Sequence, residues 1–184
     1  VMRNSWSDAE KKDLARLVAG MLMVTPFALL LLAQASSDFY RYSVSILSLS
    51  LVVLIGAGIR YKGRLNPLII FSVGGLGGLT GGLTGIPGPP VILLYVASSH
   101  PISVIRANNL LFLYFFDVCV VMFFLFTGVL TLKLVLLGSL LAVPNFLGNF
   151  LGAKFFNPQK TNQYRLFAYI IIATAAISGL PVWD

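Results

Sequence analysis

The chain has 184 residues, of which 58% are hydrophobic and 10% are charged. Soluble domains carry about 25% charged residues, so this composition argues against a soluble domain and indicates a protein embedded in the lipid bilayer. The net charge of +7 comes from short basic clusters between apolar runs, which favours topology-setting charge over a nucleic-acid interface. One histidine and one cysteine exclude the usual zinc, haem and iron–sulfur ligand sets, so no cofactor or metal is expected.

The apolar runs predict an all-α, polytopic membrane helix bundle, because a helix needs roughly 20 apolar residues to cross a bilayer. Ser7–Glu10 has the Ser-x-x-Glu spacing of a capping box, so the first helix is expected to begin there. Five runs are candidate spans: Leu17–Ala35, Ser43–Ile59, Leu110–Thr127, Leu132–Gly152 and Leu166–Val182.

A longer apolar segment, Leu68–Ser99, follows a turn predicted at Asn66-Pro67. As one straight helix it would be about 48 Å long at 1.5 Å per residue, against a hydrocarbon thickness of about 30 Å. The run GIPGPP at Gly85–Pro90 is hostile to a helix, because proline donates no backbone hydrogen bond and glycine permits unusual dihedrals. The pattern predicts a helix to about Thr84, an unwound link and a second helix from about Pro89, which together form a broken, re-entrant pair.

Basic residues predict that Leu68–Ser99 returns to its starting side of the membrane. In that arrangement eleven of the thirteen lysines and arginines lie on the same side of the membrane as the N-terminus, and only Arg41 and Lys133 lie on the other side. If the segment crosses once, the count becomes eight against five. The positive-inside rule favours the return and a cytoplasmic N-terminal end, in a multi-pass protein of the cell membrane.

A weak internal repeat divides the chain into residues 1–66 and 67–184. Each unit has a proline, an apolar run, a polar loop ending in Tyr-Arg (Tyr40-Arg41 and Tyr164-Arg165) and a closing span. The charge map places the two loops on opposite sides, as in the inverted repeats of secondary transporters. The second unit is expected to hold the broken segment and three spans, and the first unit only its last two spans.

Glycines form two stripes at helical spacing before the break. Gly74, Gly78 and Gly82 make one, and Gly77, Gly81 and Gly85 the other. Stripes of small residues let another helix approach closely in lipid, and this packing role is one complete explanation of them. It does not explain the break, because unwound backbone at membrane depth is tolerated only when buried in protein or lining a cavity. A turn at the membrane surface remains the alternative for the break.

A transport site at the break would suit an anion. The amides near Gly85, Ile86 and Gly88 could hold oxyanion oxygens, at the positive end of the helix that Pro89 and Pro90 open. The hydroxyls of the preceding turns, Thr80 and Thr84, could add donors. No acidic residue occurs between Asp38 and Asp117.

Three stretches resemble the sulfite exporter TauE/SafE family, also called the 4-toluene sulfonate uptake permeases. They read GGLTGGLTGIPGPPVILLYVASS, IRANNLLFLYFFD and LGNFLGAKFF followed by YRLFAYIIIATAAISGL. The resemblance runs roughly from Leu14 to Pro181 and implies two tandem repeats, each with a glycine-rich break. It implies transport of small sulfur oxyanions and organosulfonates. The family's glycine-rich break motif corresponds in this chain to Gly85, Ile86, Gly88, Pro89 and Pro90. Pro87 stands where the family pattern usually has glycine.

Other polar residues leave alternatives open. Asp117, deep in a span, fits either proton coupling or a hydrogen bond between helices. Asn145 and Asn149, one turn apart, could line the cavity or bond between helices. The sequence therefore predicts a permease for a small anion, not an enzyme. The alternative is a channel or carrier for a cation or neutral metabolite that uses Asp117, and a homodimer is possible.

Overall fold

The computed structural model describes residues 9–57, 65–96, 100–155 and 161–182. These residues form seven helices and, within those ranges, no strand, which confirms the predicted all-α fold. The helices are α1 (Lys11–Gln34), α2 (Ser37–Gly56), α3 (Pro67–Thr84), α4 (Gly88–Val96), α5 (Ile102–Phe126), α6 (Leu132–Phe155) and α7 (Thr161–Ser178). By length and composition, α1, α3 and α5 can each cross a membrane.

Two helix starts differ from the sequence prediction. Helix α1 begins at Lys11, later than predicted, with Glu10 as its N-cap residue without a side-chain cap bond; Ser7 of the predicted capping box lies outside the described residues. Asn66 caps α3, because its side-chain oxygen accepts a hydrogen bond from the amide of Ile69 at 2.8 Å. Pro67 then occupies the first helical position, where its missing N–H costs nothing.

Helices α1 and α3 pack in parallel along the first glycine stripe. The facing pairs are Gly74 with Leu17, Gly78 with Met21 and Gly82 with Ala28. Residue numbers increase together on the two helices from one facing pair to the next, so α1 and α3 run in the same direction. A Cβ atom on Gly78 would lie 2.9 Å from the carbonyl oxygen of Met21, and only glycine lets the backbones come this close.

The second stripe faces the other side of α3. A Cβ atom on Gly77 would lie 2.8 Å from the ring of Phe112, and one on Gly81 would lie 2.6 Å from the ring of Phe116. Both would also contact Pro87. Close packing therefore explains why residues 77 and 81 are glycines. Because residue numbers rise together from the Gly77–Phe112 contact to the Gly81–Phe116 contact, α5 runs parallel to α3.

Helix α4 returns toward the end of the bundle where α1 begins, which we call the proximal end. His100 precedes α5, and its Nε2 lies 3.8 Å from Oδ2 of Asp13 in the first turn of α1. The ring of Tyr95, near the end of α4, meets the His100 ring edge to face. The described part of this segment, from Leu68 to Val96, therefore comes back toward the end of the bundle at which it starts, in agreement with the predicted return.

Helices α2 and α7 pack against each other in antiparallel fashion. Arg41 lies early in α2, and its Nε donates to the carbonyl oxygen of Gly179 at 3.1 Å, just beyond the last turn of α7. Its Nη2 donates to the carbonyl oxygen of Leu180 at 3.5 Å. A cation at the C-terminal end of a helix also interacts favourably with the helix dipole. This contact lies at the distal end of the bundle, where α1 ends and α2 begins.

The buried core joins α1, α3, α4 and α5. Its members are Leu14, Leu17, Met21, Ile70, Val91, Leu94, Tyr95, Leu111, Phe112 and Phe116. By contrast, the side chains described along α6 are exposed throughout Leu132–Gly148. The core thus includes α1 from the first predicted unit and α3 to α5 from the second, and the division at residue 66 stays a prediction.

Candidate functional site

The helical chain is interrupted between α3 and α4. Helix α3 ends at Thr84, and Gly85 adopts φ 75° and ψ 11°, in the left-handed region. Its amide donates to the carbonyl oxygen of Gly81 at 2.7 Å, which is a common way to end a helix. Helix α4 begins at Gly88, so residues 85–87 form a short link. The unusual dihedral angle therefore belongs to Gly85, whereas Gly88 has no positive φ.

The link offers two free amide donors. The amides of Ile86 and Gly88 donate no backbone hydrogen bond in the described part of the chain. Pro87, Pro89 and Pro90 have no N–H to offer. The amide of Gly85 is bonded to Gly81 within the cap, so it is not one of these free donors. The positive end of α4 adds to the two remaining amides.

Two cavities flank the link. The first, of about 400 Å³, lies between α2 and the last turns of α3, and its wall includes Thr80 and Thr84. The second, of about 420 Å³, lies between α2, α7 and the link, and its wall includes Ile86 and Pro89. Most of the lining is apolar, and no acidic side chain contributes to either wall. The link therefore borders the second cavity through Ile86.

The threonine hydroxyls are already engaged. Thr80 Oγ1 donates to the carbonyl oxygen of Leu76 at 2.9 Å, and Thr84 Oγ1 donates to the carbonyl oxygen of Thr80 at 2.7 Å. Such bonds to the preceding turn are usual for threonine inside a helix. Either hydroxyl would have to rotate away from its carbonyl before it could donate to a ligand.

The remaining predicted residues lie elsewhere. Asp117 is exposed on α5 and Asn145 is exposed on α6, and neither lines the two cavities. The side chain of Asn149 lies outside the described residues. Thr80 and Thr84 therefore line one cavity beside α2, Ile86 and Pro89 line another, and neither Asp117 nor Asn145 joins them.

A polar cluster at the proximal end was not predicted as a unit. Nδ2 of Asn108 donates to the hydroxyl of Tyr95 at 2.8 Å, and both residues have a relative exposure of 0%. Nearby, Arg16 donates to Asp13 at 3.0 Å, and Asp13 faces His100. The one feature of the sequence that could have indicated this cluster is Asn108, a polar residue on the apolar helix face that also carries Leu111 and Phe112. Its partner Tyr95 is thirteen residues away, so sequence spacing alone does not reveal the pair.

Comparison with known proteins identifies the family. The family model described as sulfite exporter TauE/SafE matches residues 2–179. No curated protein and no solved structure matches the chain. Members of this family are membrane transporters rather than enzymes, in keeping with the apolar helices found here. Because the match extends over nearly the whole sequence, the chain belongs to the sulfite exporter TauE/SafE family.

Proposed function

We propose that the protein transports a small anion, either a sulfur oxyanion such as sulfite or an organosulfonate. The family supports a transporter of this class. The binding site that we propose is the link with its flanking residues, Gly85–Pro90, together with Thr80 and Thr84. Substrate oxygens would accept hydrogen bonds from the amides of Ile86 and Gly88.

The observation that carries the proposal is the pair of unpartnered amides in the link and at the start of α4, where Ile86 lines the second cavity. A backbone N–H buried without a partner is unfavourable, and a bound oxyanion would satisfy both donors. Gly88 is buried, whereas Ile86 is partly exposed toward the second cavity. The absence of acidic side chains from both cavity walls favours a negative ligand over a positive one.

The two prolines after Gly88 would act through shape. Pro89 and Pro90 fix φ and start α4 without adding amide donors. Any ligand at this end of α4 would therefore be held by Gly88 and by the link. Pro87 is buried against Gly77 and Gly81, so it packs the link against α3.

The direction of the helices supports the proposed topology. Helix α1 runs from the proximal to the distal end and α2 runs back, whereas α7 finishes at the distal end beside Arg41. The α1–α2 pair and the α6–α7 pair thus run in opposite senses, as an inverted repeat requires. We place the proximal end in the cytoplasm, because most basic residues lie toward it.

Transport measured in proteoliposomes tests the proposal. A Cβ atom on Gly88 would meet only Leu113, at 3.6 Å, so Gly88→Val should leave the bundle folded while its methyl groups crowd the amide. We expect this variant to lose uptake of radiolabelled sulfite or a short organosulfonate. Gly138→Val is the matched control, because nothing lies within 4 Å of a Cβ there. Unaltered transport in Gly88→Val would remove the link from the site.

A cation carrier based on Asp117 receives no support from the cavities, since this side chain lines neither of them. The same vesicles separate the two functions. Uptake of a cation that disappears in Asp117→Asn, with no uptake of anions in the unmodified protein, would replace our proposal with that alternative.

A further inference from the structure

Helix α4 connects the link to the polar cluster at the proximal end. It has nine residues, Gly88–Val96, and Tyr95 lies seven residues after Gly88. At 1.5 Å per residue the two are about 10 Å apart along the axis. A helix this short moves as a rigid unit, so whatever fixes Tyr95 also fixes the amide of Gly88.

Most contacts of α4 do not specify its height or rotation. Val91 and Leu94 are buried in the apolar core, and apolar packing is non-directional. The hydrogen bond from Asn108 to Tyr95 is different, because a hydrogen bond has strict distance and angle requirements. Both partners are fully buried, so water cannot replace either one when the helix shifts.

The surroundings make this bond costly to break. Oδ1 of Asn108 is buried without a hydrogen-bond partner among the described residues, so the amide group of Asn108 depends on the one bond to Tyr95. The ring of Tyr95 also meets the His100 ring, and His100 faces Asp13 on α1. The far end of α4 is thereby tied to both α5 and α1.

We propose that Tyr95 and Asn108 are positioning residues for the anion site at the opposite end of α4. Their hydrogen bond sets the height and rotation of the helix, and this places the amides of Ile86 and Gly88 where they meet the substrate. The inference rests on the proposed function, and it adds two residues that do not touch the substrate.

Three variants separate positioning from simple stabilisation. Tyr95→Phe leaves the buried amide of Asn108 without its bond, and Asn108→Leu removes the same bond from the Tyr95 side, so both should lower stability. The double variant replaces both partners by apolar groups, which can be nearly neutral for stability. It does not restore the directional constraint. We therefore expect the double variant to melt like the unmodified protein while its KM for the anion stays raised on the order of tenfold, with little change in maximal rate. Tyr114→Phe is the matched control, because Tyr114 is exposed on α5.

The outcomes distinguish the inference from the function on which it rests. A KM that returns to normal together with stability in the double variant would show a merely structural role and overturn the inference. Single variants with an unchanged KM would do the same. If the unmodified protein neither binds nor transports anions, the proposed function itself fails and the inference fails with it.

Discussion

The close approach of α1 and α3 gives a sharp prediction for Gly74→Ala. A Cβ atom on Gly74 would lie 2.7 Å from both the carbonyl carbon and the Cα atom of Leu17, whereas ordinary contacts are 3.4–4 Å. These neighbours are backbone atoms that cannot rotate away, so the helices must separate by about 1 Å and lose part of their dispersion contacts. Overpacking costs about 1–3 kcal/mol, and the better helix propensity of alanine recovers up to about 1 kcal/mol. We expect a net loss of about 1–2 kcal/mol in the free energy of unfolding.

Reversible unfolding in mixed detergent micelles measures this loss, and Gly138→Ala is the control. A Cβ atom on Gly138 meets nothing within 4 Å, so only the propensity gain of up to about 1 kcal/mol applies. The propensity gain cancels between the two variants, which should therefore differ by about 1–3 kcal/mol. Equal stabilities for Gly74→Ala and Gly138→Ala would refute the parallel, glycine-mediated packing.

Three further variants test other parts of the structure. Gly85→Ala should cost about 1–2 kcal/mol in unfolding free energy, because φ of 75° is unfavourable for alanine, even though nothing crowds its Cβ; unchanged stability would contradict the left-handed cap. Arg41→Gln should lower stability by about 1 kcal/mol through loss of the bonds to the end of α7. Arg41→Lys should fall between Arg41→Gln and the unmodified protein, because lysine keeps the charge but not the planar fork. Melting of both variants at the temperature of the unmodified protein would argue against the contact. Asp117→Asn should leave anion KM within about twofold of normal, because this side chain lines neither cavity, and a loss of uptake would place Asp117 in the transport path.

Local chemistry made the helices and their interruption predictable. Long apolar runs allow only helices in lipid, and the cluster of glycine and proline at Gly85–Pro90 marked where α3 had to stop. The predicted end at Thr84 agrees with the structure, and the predicted start at Pro89 differs by one residue. Charge asymmetry also predicted the return of the chain, because the cost of moving basic residues across a membrane does not depend on packing details.

Contacts between distant parts of the chain were not predictable. Tyr95 and Asn108 meet only because α4 folds back beside α5, and Arg41 finds Gly179 only because α7 ends where α2 begins. The Ser-x-x-Glu spacing is common in sequences, so it did not locate the start of α1, which lies at Lys11. The hydroxyls of Thr80 and Thr84 have the predicted location beside a cavity, but their bonds to α3 carbonyls depend on rotamers that the sequence does not specify.

Binding of an anion at the link is the central claim, and the amide signals of Ile86 and Gly88 test it directly. Protein labelled with ¹⁵N at isoleucine and glycine, in detergent, is titrated with sulfite or methanesulfonate at constant pH and ionic strength, with chloride as the reference. We predict saturable shifts of the Ile86 and Gly88 signals, while the signal of Gly138 on exposed α6 stays in place. Saturable shifts elsewhere with none at Ile86 and Gly88 would contradict the account.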